Sequence, residues 1–384
     1  MYYWLHMVKR QFWIKRIEAA WRERNLIWLS GVRRVGKTML CRSLDDVEYF
    51  DCELPRVRRQ MEDPESFWEG LRGKRVVLDD VHRLQNPSEL LKIAADHFPE
   101  TKVIATGSST LGASFKFRDT LAGRKRDIWL PPMILEDLGD FADKGWDHRF
   151  IRGGLPPFYL ADEFPERDFQ EWVDAYWAKD VQELFRIERR ESFVRFFELL
   201  IQQSGGMFEA SRLAGPSGVS RTTLGNYLEV LRETYVFHVL RPYAKYKTKE
   251  IVSAPKVYCF DTGFVAYYKG WQSIRAEDRG ILWEHFVLNQ LCAHGWRGDL
   301  RYWRDKQKRE IDFVLLRRGK PPLAIETKWK AGQADHRNLL AFHANYPDAE
   351  LVVVASDIDR SYKRQRKGVP VRYVSLKGLL RELG

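Results

Sequence analysis

Over roughly the first third of the chain, short apolar runs alternate with longer mixed segments. Leu26-Ile27-Trp28-Leu29 is one such run, and others stand at residues 47–52, 75–79, 101–107 and 128–130. Each is strand-length, and the segments between them have helix-compatible spacing. Strands that alternate with helices predict a parallel α/β sheet. Pro131-Pro132 closes this region.

The pattern then turns helical. Residues 136–205 read as mostly helix, with Trp172, Tyr176 and Trp177 at helical spacing and a further apolar face over residues 193–201. These aromatics are read as core. Gly153-Gly154, ahead of Pro156-Pro157, marks a turn or hinge. Residues 208–214 form a short helix, Gly215-Pro-Ser-Gly218 a turn, and Ser220 an N-cap for a second helix. That second helix puts Leu224, Tyr227, Leu228 and Leu231 on one face, and Arg221, Thr222, Thr223 and Asn226 on the other. Two short strands follow, at 235–241 and 256–260, joined by a loop that holds Lys245, Lys247 and Lys249. A helix–turn–helix followed by a basic hairpin is a winged-helix pattern. In the DNA-binding version, Arg221, Thr222 and Asn226 would face the major groove, and the loop lysines would meet phosphates. Winged helices also serve as protein-binding modules, and that alternative stays open.

Composition narrows the classes. With 44% hydrophobic and 30% charged residues, 384 positions suit two or three folded domains. The 64 Lys and Arg outnumber the 53 Asp and Glu, and a net charge of +11 favours a polyanionic partner, nucleic acid before membrane. No apolar run approaches the ~20 residues needed to cross a bilayer, and residues 1–16 lack the build of a secretory signal. Cys41, Cys52, Cys259 and Cys292 form no CxxC pair, which argues against a zinc site or a disulfide framework and for a cytoplasmic setting.

The chemistry begins after the first strand. Gly31-Val32-Arg33-Arg34-Val35-Gly36-Lys37-Thr38, running into Met39, matches G-x-x-x-x-G-K-[ST] between a strand and a helix. The glycines let backbone N–H groups turn toward phosphate oxygens at the positive end of the next helix. Lys37 would neutralise the β and γ phosphates of ATP, and the Thr38 hydroxyl would ligate Mg²⁺. The strand Arg75-Val-Val-Leu ends in Asp79-Asp80. Asp79 is expected on the Mg²⁺ side, and Asp80 as the group that orients or activates water. Ser108, after the strand at 101–107, is a candidate γ-phosphate sensor or water holder, against a plain Ser/Thr turn. Arg124 is a candidate arginine finger, in cis or from a second copy in a homo-oligomer, against a solvated basic loop.

These segments resemble the widespread bacterial and archaeal AAA-type ATPases that carry a conserved C-terminal region of unknown function. The likeness rests on Ser30 through Thr38, Val77-Leu-Asp-Asp-Val-His82, Ala105-Thr-Gly-Ser-Ser109, Leu121-Ala-Gly-Arg124, Gly153-Gly-Leu-Pro156 and Glu326-Thr-Lys328. It implies a P-loop NTPase core that binds and hydrolyses ATP with Mg²⁺. Asp80 stands where such proteins usually carry Glu, and His82 where Gln is common. The shorter acid bears on the hydrolysis rate.

The last third carries a second constellation. Glu310-Ile-Asp312-Phe-Val-Leu-Leu316 reads as a strand, a turn follows, and Leu323-Ala-Ile-Glu326-Thr-Lys328 reads as its hairpin partner. Asp on one strand and Glu-x-Lys on the next is the arrangement of PD-(D/E)xK nucleases. Glu326 and Lys328 are two apart and so share a face. Asp312 and Glu326 would share Mg²⁺, with Glu284 approaching from a helix as a third acid, and Lys328 would position or deprotonate a metal-bound water. Residues 297–330 hold eleven Lys and Arg against five Asp and Glu, and Arg360, Lys363, Arg364, Arg366 and Lys367 add to that charge. Trp303 and Trp329 lie among them, as base-stacking groups or as core.

The expected layout is therefore α/β: a P-loop ATPase core with a parallel sheet over 1–135, a helical lid over 136–205, a winged helix over 206–270 and a restriction-endonuclease-like domain over 271–384. The expected function is Mg²⁺-dependent ATP hydrolysis acting on DNA. The alternative is a nucleotide-dependent switch whose winged helix binds a protein, without cleavage. No membrane partner is expected.

Overall fold

The computed structural model describes residues 8–107, 120–182, 185, 187, 189–244 and 253–384. The chain divides into two compact units. The first comprises Met1–Trp146, Gly154–Arg190 and Leu228–Val236; the second comprises Asp147–Gly153, Glu191–Tyr227 and Phe237–Gly384.

The first unit is built on five strands, β1 (Leu26–Ser30), β2 (Val47–Asp51), β3 (Arg75–Asp79), β4 (Lys102–Thr106) and β5 (Lys125–Trp129), in the order β2-β3-β4-β1-β5. Every pairing is parallel. The three inner strands are buried almost throughout, whereas edge strands β2 and β5 are mostly half-buried or exposed. That contrast explains why β1 and β3 read as unbroken apolar runs. Because the strands are parallel, the loop after β1 and the acids after β3 emerge at the same edge of the sheet, where ligands of such sheets sit.

The start of the chain is tied to this edge by a long-range ion pair. Arg10 and Asp137 are both buried, and Arg10 meets both carboxylate oxygens, with Nε 2.8 Å from Oδ1. Arg10 also donates to the carbonyl of Val35 in the glycine-bearing loop, at 3.1 Å, and Trp13 Nε1 donates to Asp137. The helix Glu166–Tyr176 of this unit carries Trp172 and Tyr176, whose stacked rings are buried as the sequence suggested, and the π-helix Trp177–Gln182 continues it with buried Trp177.

The second unit holds two sheets. In the small one, β6 (Gly206–Met207), β7 (Phe237–Leu240) and β8 (Lys256–Cys259) pair antiparallel in the order β6-β8-β7. The helices Ala210–Ser217 and Arg221–Glu233 are separated by a turn at left-handed Gly218 (φ 68°), and Ser220 Oγ caps the second by accepting from Thr223 N. The large sheet contains β9 (Leu300–Arg304), β10 (Glu310–Leu315), β11 (Leu323–Lys328), β12 (Glu350–Ala355), β13 (Tyr362–Arg366) and β14 (Val369–Val374), in the order β13-β14-β12-β11-β10-β9. β11, β12 and β14 run parallel, and the outer strands turn back antiparallel. Trp303 is buried in the core of this sheet with Phe342 and Val353, so it is not a base-stacking platform. Trp329 is half-buried against Phe150 and Trp283, beneath the guanidinium of Arg279. All four cysteines are buried free thiols. Among the described residues, no helix is long and apolar enough to cross a membrane.

Removing one partner of a buried ion pair strands the other charge, at a cost of about 3–5 kcal/mol. Asp137→Ala is therefore expected to lower the unfolding free energy of the first unit by that amount, read from the shift of its urea midpoint by tryptophan fluorescence. Unchanged unfolding would show that the Arg10 pair carries no net stability.

Candidate active site

Between β1 and the helix Lys37–Arg42, the loop reverses by left-handed backbone at Arg34 (φ 64°) and Gly36 (φ 97°). Gly31 is needed for a second reason: a Cβ there would lie 2.4 Å from the carbonyl oxygen of Leu130. Such a loop turns successive N–H groups toward one concavity, which suits an anion. Lys37 is folded into it, donating to the carbonyls of Gly31 at 2.7 Å and Val32 at 3.2 Å. Burial lowers the Lys37 pKa, and the negative charges of Asp180, Asp80 and Asp79 act against that. An ammonium held in this way suits triphosphate oxygens, for which it would exchange its carbonyl partners. On these grounds the loop suits a triphosphate such as that of ATP, whose phosphates Gly31 to Met39 would surround. Met39 is exposed at the start of the helix.

Asp79 lies at the end of β3 and is only 4% exposed. Thr38 Oγ1 donates to its Oδ2 at 2.8 Å, Tyr49 donates to the same oxygen, and Thr106 donates to Oδ1. The structure thus joins the hydroxyl and carboxylate expected to hold Mg²⁺. Tyr49 and Thr106 were not legible as site residues. Thr106 ends β4, two positions before Ser108, and also accepts from Asp80 N at 3.1 Å. Ser108 itself lies outside the described residues.

Asp80 adopts a left-handed conformation (φ 58°, ψ 47°), a strained state for a residue with a side chain. That turn directs its chain away from the strand and toward His82, whose Nδ1 is 3.7 Å from Asp80 Oδ1. Burial and the adjacent charge of Asp79 raise the Asp80 pKa to about 6. Burial and nearby arginines lower that of His82 to about 4, so the imidazole is neutral at pH 7. A carboxylate with a pKa near working pH is suited to take a proton from water.

The loop arginines are already engaged. Arg33 Nε lies 3.2 Å from Asp180 Oδ2, Arg34 Nη1 lies 2.8 Å from Asp168 Oδ1, and Trp172 Nε1 donates to the Arg33 carbonyl. Asp180 and Asp168 come from the helical segment after the sheet, a link that no local motif announces. Arg124 is not brought to the loop. It precedes β5, whose first residue, Lys125, pairs with Leu26 at the start of β1. It therefore sits at the opposite edge of the sheet, paired with Asp96 at 2.7 Å. A role for Arg124 at its own chain's phosphates is corrected by this register.

The second constellation lies in the second unit. Phe313 pairs with Ile325, so Asp312 and Glu326 are the next residues along β10 and β11. Asp312 Oδ2 accepts from the N–H and hydroxyl of Thr327, at 2.7 and 2.8 Å. Glu326 Oε1 accepts from Lys328 Nζ at 2.7 Å, while its Oε2 is buried without a hydrogen-bond partner. Burial and the charge of Asp312 raise the Glu326 pKa to about 8. Burial alone would lower Lys328, but Asp312 and Glu326 outweigh it and hold the ammonium charged. Lys328 is therefore placed to position and neutralise rather than to take a proton. Glu284, from the helix Asp278–Leu291, is not free: its Oε1 accepts from Lys256 Nζ at 2.8 Å and from the Tyr258 hydroxyl. Among the described residues, no group of three or more His, Cys, Asp or Glu is gathered as a metal cluster. Arg221, Thr222 and Asn226 are exposed on their helix, and Lys245, Lys247 and Lys249 lie outside the described residues.

Comparison with known proteins agrees with the first unit. Residues 23–138 match the family described as AAA domain. Residues 143–275 match a domain of unknown function (DUF8612), and residues 279–374 another (DUF4143). Uncharacterized protein Rv2008c of Mycobacterium tuberculosis and Uncharacterized protein Mb2031c of Mycobacterium bovis are each 28% identical over 327 residues, which is 82% of this chain and 73% of theirs. Among solved structures, the Walker-type ATPase PABY2304 of Pyrococcus abyssi covers 68% of this chain and 96% of its own, at 16% identity and a TM-score of 0.46. The AAA match and the loop geometry together define an AAA-type P-loop domain. The chain is an ATPase, and its later portion is similar to a region of unknown function.

A base that must be ionised is inactive below its pKa. Because the Asp80 pKa is raised to about 6, kcat/KM for ATP is expected to fall as pH drops through 6 and to level off above 7, since this ratio reports the free enzyme. Asp80→Asn should cut turnover about 10²-fold or more and remove that acidic limb. An acidic limb that survives Asp80→Asn would assign it to another group.

Proposed function

We propose that the chain is a Mg²⁺-dependent ATPase that acts on DNA through its second unit, where Asp312, Glu326 and Lys328 form a metal-assisted phosphodiester-cleaving site. The observation that carries this reading is the Glu326 Oε2 atom, buried without a partner on the residue next to Asp312. A buried carboxylate oxygen left unpaired is costly, and a cation between Asp312 and Glu326 would relieve it. Mg²⁺ prefers such oxygens and would polarise a phosphate and bound water there. Lys328, fixed beside Glu326, would hold a phosphate oxygen through the reaction.

Charge supports a DNA partner. Arg360, Lys363, Arg364 and Lys367 are exposed along or beside β13, an edge strand of the large sheet. Arg221, Thr222 and Asn226 are exposed on the second helix of a helix–turn–helix followed by antiparallel strands. This is the presentation a winged helix uses in the major groove. A second reading keeps the ATPase as a switch whose helix–turn–helix binds a protein. What favours it is the engagement of Glu284 by Lys256, which leaves two acids rather than three for a metal.

The two sites separate by mutation. Asp312→Ala should abolish Mg²⁺-dependent nicking of plasmid or branched DNA while ATP turnover stays within about twofold. Lys37→Ala should do the reverse to ATP turnover, lowering it by ~10³-fold with the fold retained. Cleavage that persists in Asp312→Ala would refute the second site. A wild-type chain that neither binds nor cuts DNA at low salt would leave the switch.

A further inference from the structure

We infer that Lys256 is a resident cation of the second-unit site, holding the position at Glu284 where a second metal would sit, so that the site takes one divalent ion. This rests on the metal site proposed above and says how many ions that site accepts and why.

Lys256 opens β8 and is 3% exposed. A buried lysine inside a strand needs carboxylate partners, and it has two. Its Nζ lies 2.8 Å from Glu284 Oε1 and 2.6 Å from Glu310 Oε1. Tyr258 stands two residues on, on the same face of β8, and donates to the same Glu284 oxygen. Glu310 likewise stands two residues before Asp312 on β10, and its other oxygen is 3.7 Å from Arg304. Lys256 thus links the helix that carries Glu284 to the strand that carries Asp312. The charge of Asp312 acts on Lys256, Glu284 and Glu326 alike, so these groups share one field.

Counting charge decides the stoichiometry. Glu284, Glu310, Asp312 and Glu326 bring four formal negative charges, and Lys256, Lys328 and the Arg304 beside Glu310 bring three positive ones. One divalent ion turns a net deficit of one into an excess of one. A second would leave an excess of three in a largely buried place, with like charges close together. Oxygen supply points the same way. Glu284 Oε1 has two donors, Glu326 Oε1 has Lys328, and Asp312 Oδ2 has Thr327, while Glu326 Oε2 is the buried carboxylate oxygen left without one among the described residues. The arrangement accepts an ion at Asp312 and Glu326 and fills the Glu284 side with an ammonium.

The test counts Mn²⁺ bound to the nucleotide-free full chain by loss of the free-ion electron paramagnetic resonance signal, in an Asp79→Asn background that disables the first unit's metal position. One Mn²⁺ per chain is expected, falling to none with Asp312→Ala. Lys256→Gln should raise the count to two, and the charge-keeping Lys256→Arg should leave it at one. Two ions with Lys256 intact would overturn the inference and leave the metal site standing. So would a single ion in a Lys256→Gln chain whose circular dichroism and melting show it folded. No bound ion with Lys256 intact would overturn the metal site itself. Should Lys256→Gln not fold, the count in the Lys256-intact chain decides alone.

Discussion

The carboxylate of Asp79 ends a central parallel strand with almost no access to water, and three hydroxyls converge on it. Thr38 comes from the start of the helix after the glycine-bearing loop, Tyr49 from edge strand β2, and Thr106 from the end of β4. An unpaired charge there would cost several kcal/mol, so all three elements must arrive in register for the unit to be stable. The same convergence places Asp80, whose N–H is held by Thr106, one residue further on in a strained turn. Stability and the geometry of the candidate site at this edge are one arrangement.

The two acidic sites solve the burial of carboxylates differently. In the first unit the partners are neutral hydroxyls, which a metal can join or replace without charge conflict. In the second unit they are ammonium groups, Lys328 at Glu326 and Lys256 at Glu284, which carry the compensating charge themselves. Hydroxyl partners add no charge of their own at Asp79.

Local features were legible in the sequence, and long-range ones were not. The glycine-bearing loop, Asp79-Asp80, the five strands of the first sheet and the β10–β11 hairpin each follow from spacing within a short window. Arg10 and Asp137 are 127 positions apart and Arg33 and Asp180 are 147 apart, and no periodicity points from one to the other. Lys256 did carry a signal, a charge set in the apolar strand Lys-Val-Tyr-Cys, but its partners were not readable. A short Gly-Arg loop says nothing about which end of a sheet it meets, and only the pairing of Lys125 with Leu26 places Arg124 away from its own chain's glycine-bearing loop. Trp303 stood open between stacking and core because its neighbours in sequence are charged, and only the packing of the large sheet shows that it fills the core.

If nucleotide turnover in the first unit serves DNA handling by the second, DNA must alter that turnover. The direct measurement is steady-state ATP hydrolysis by the full chain with no DNA, and with duplex, single-stranded or branched DNA, from about 50 to 200 mM salt. Contacts between basic residues and phosphates release counterions, so stimulation is expected at low salt and should decline steeply as salt rises. Turnover that is the same with and without every DNA, at every salt concentration, would contradict the account.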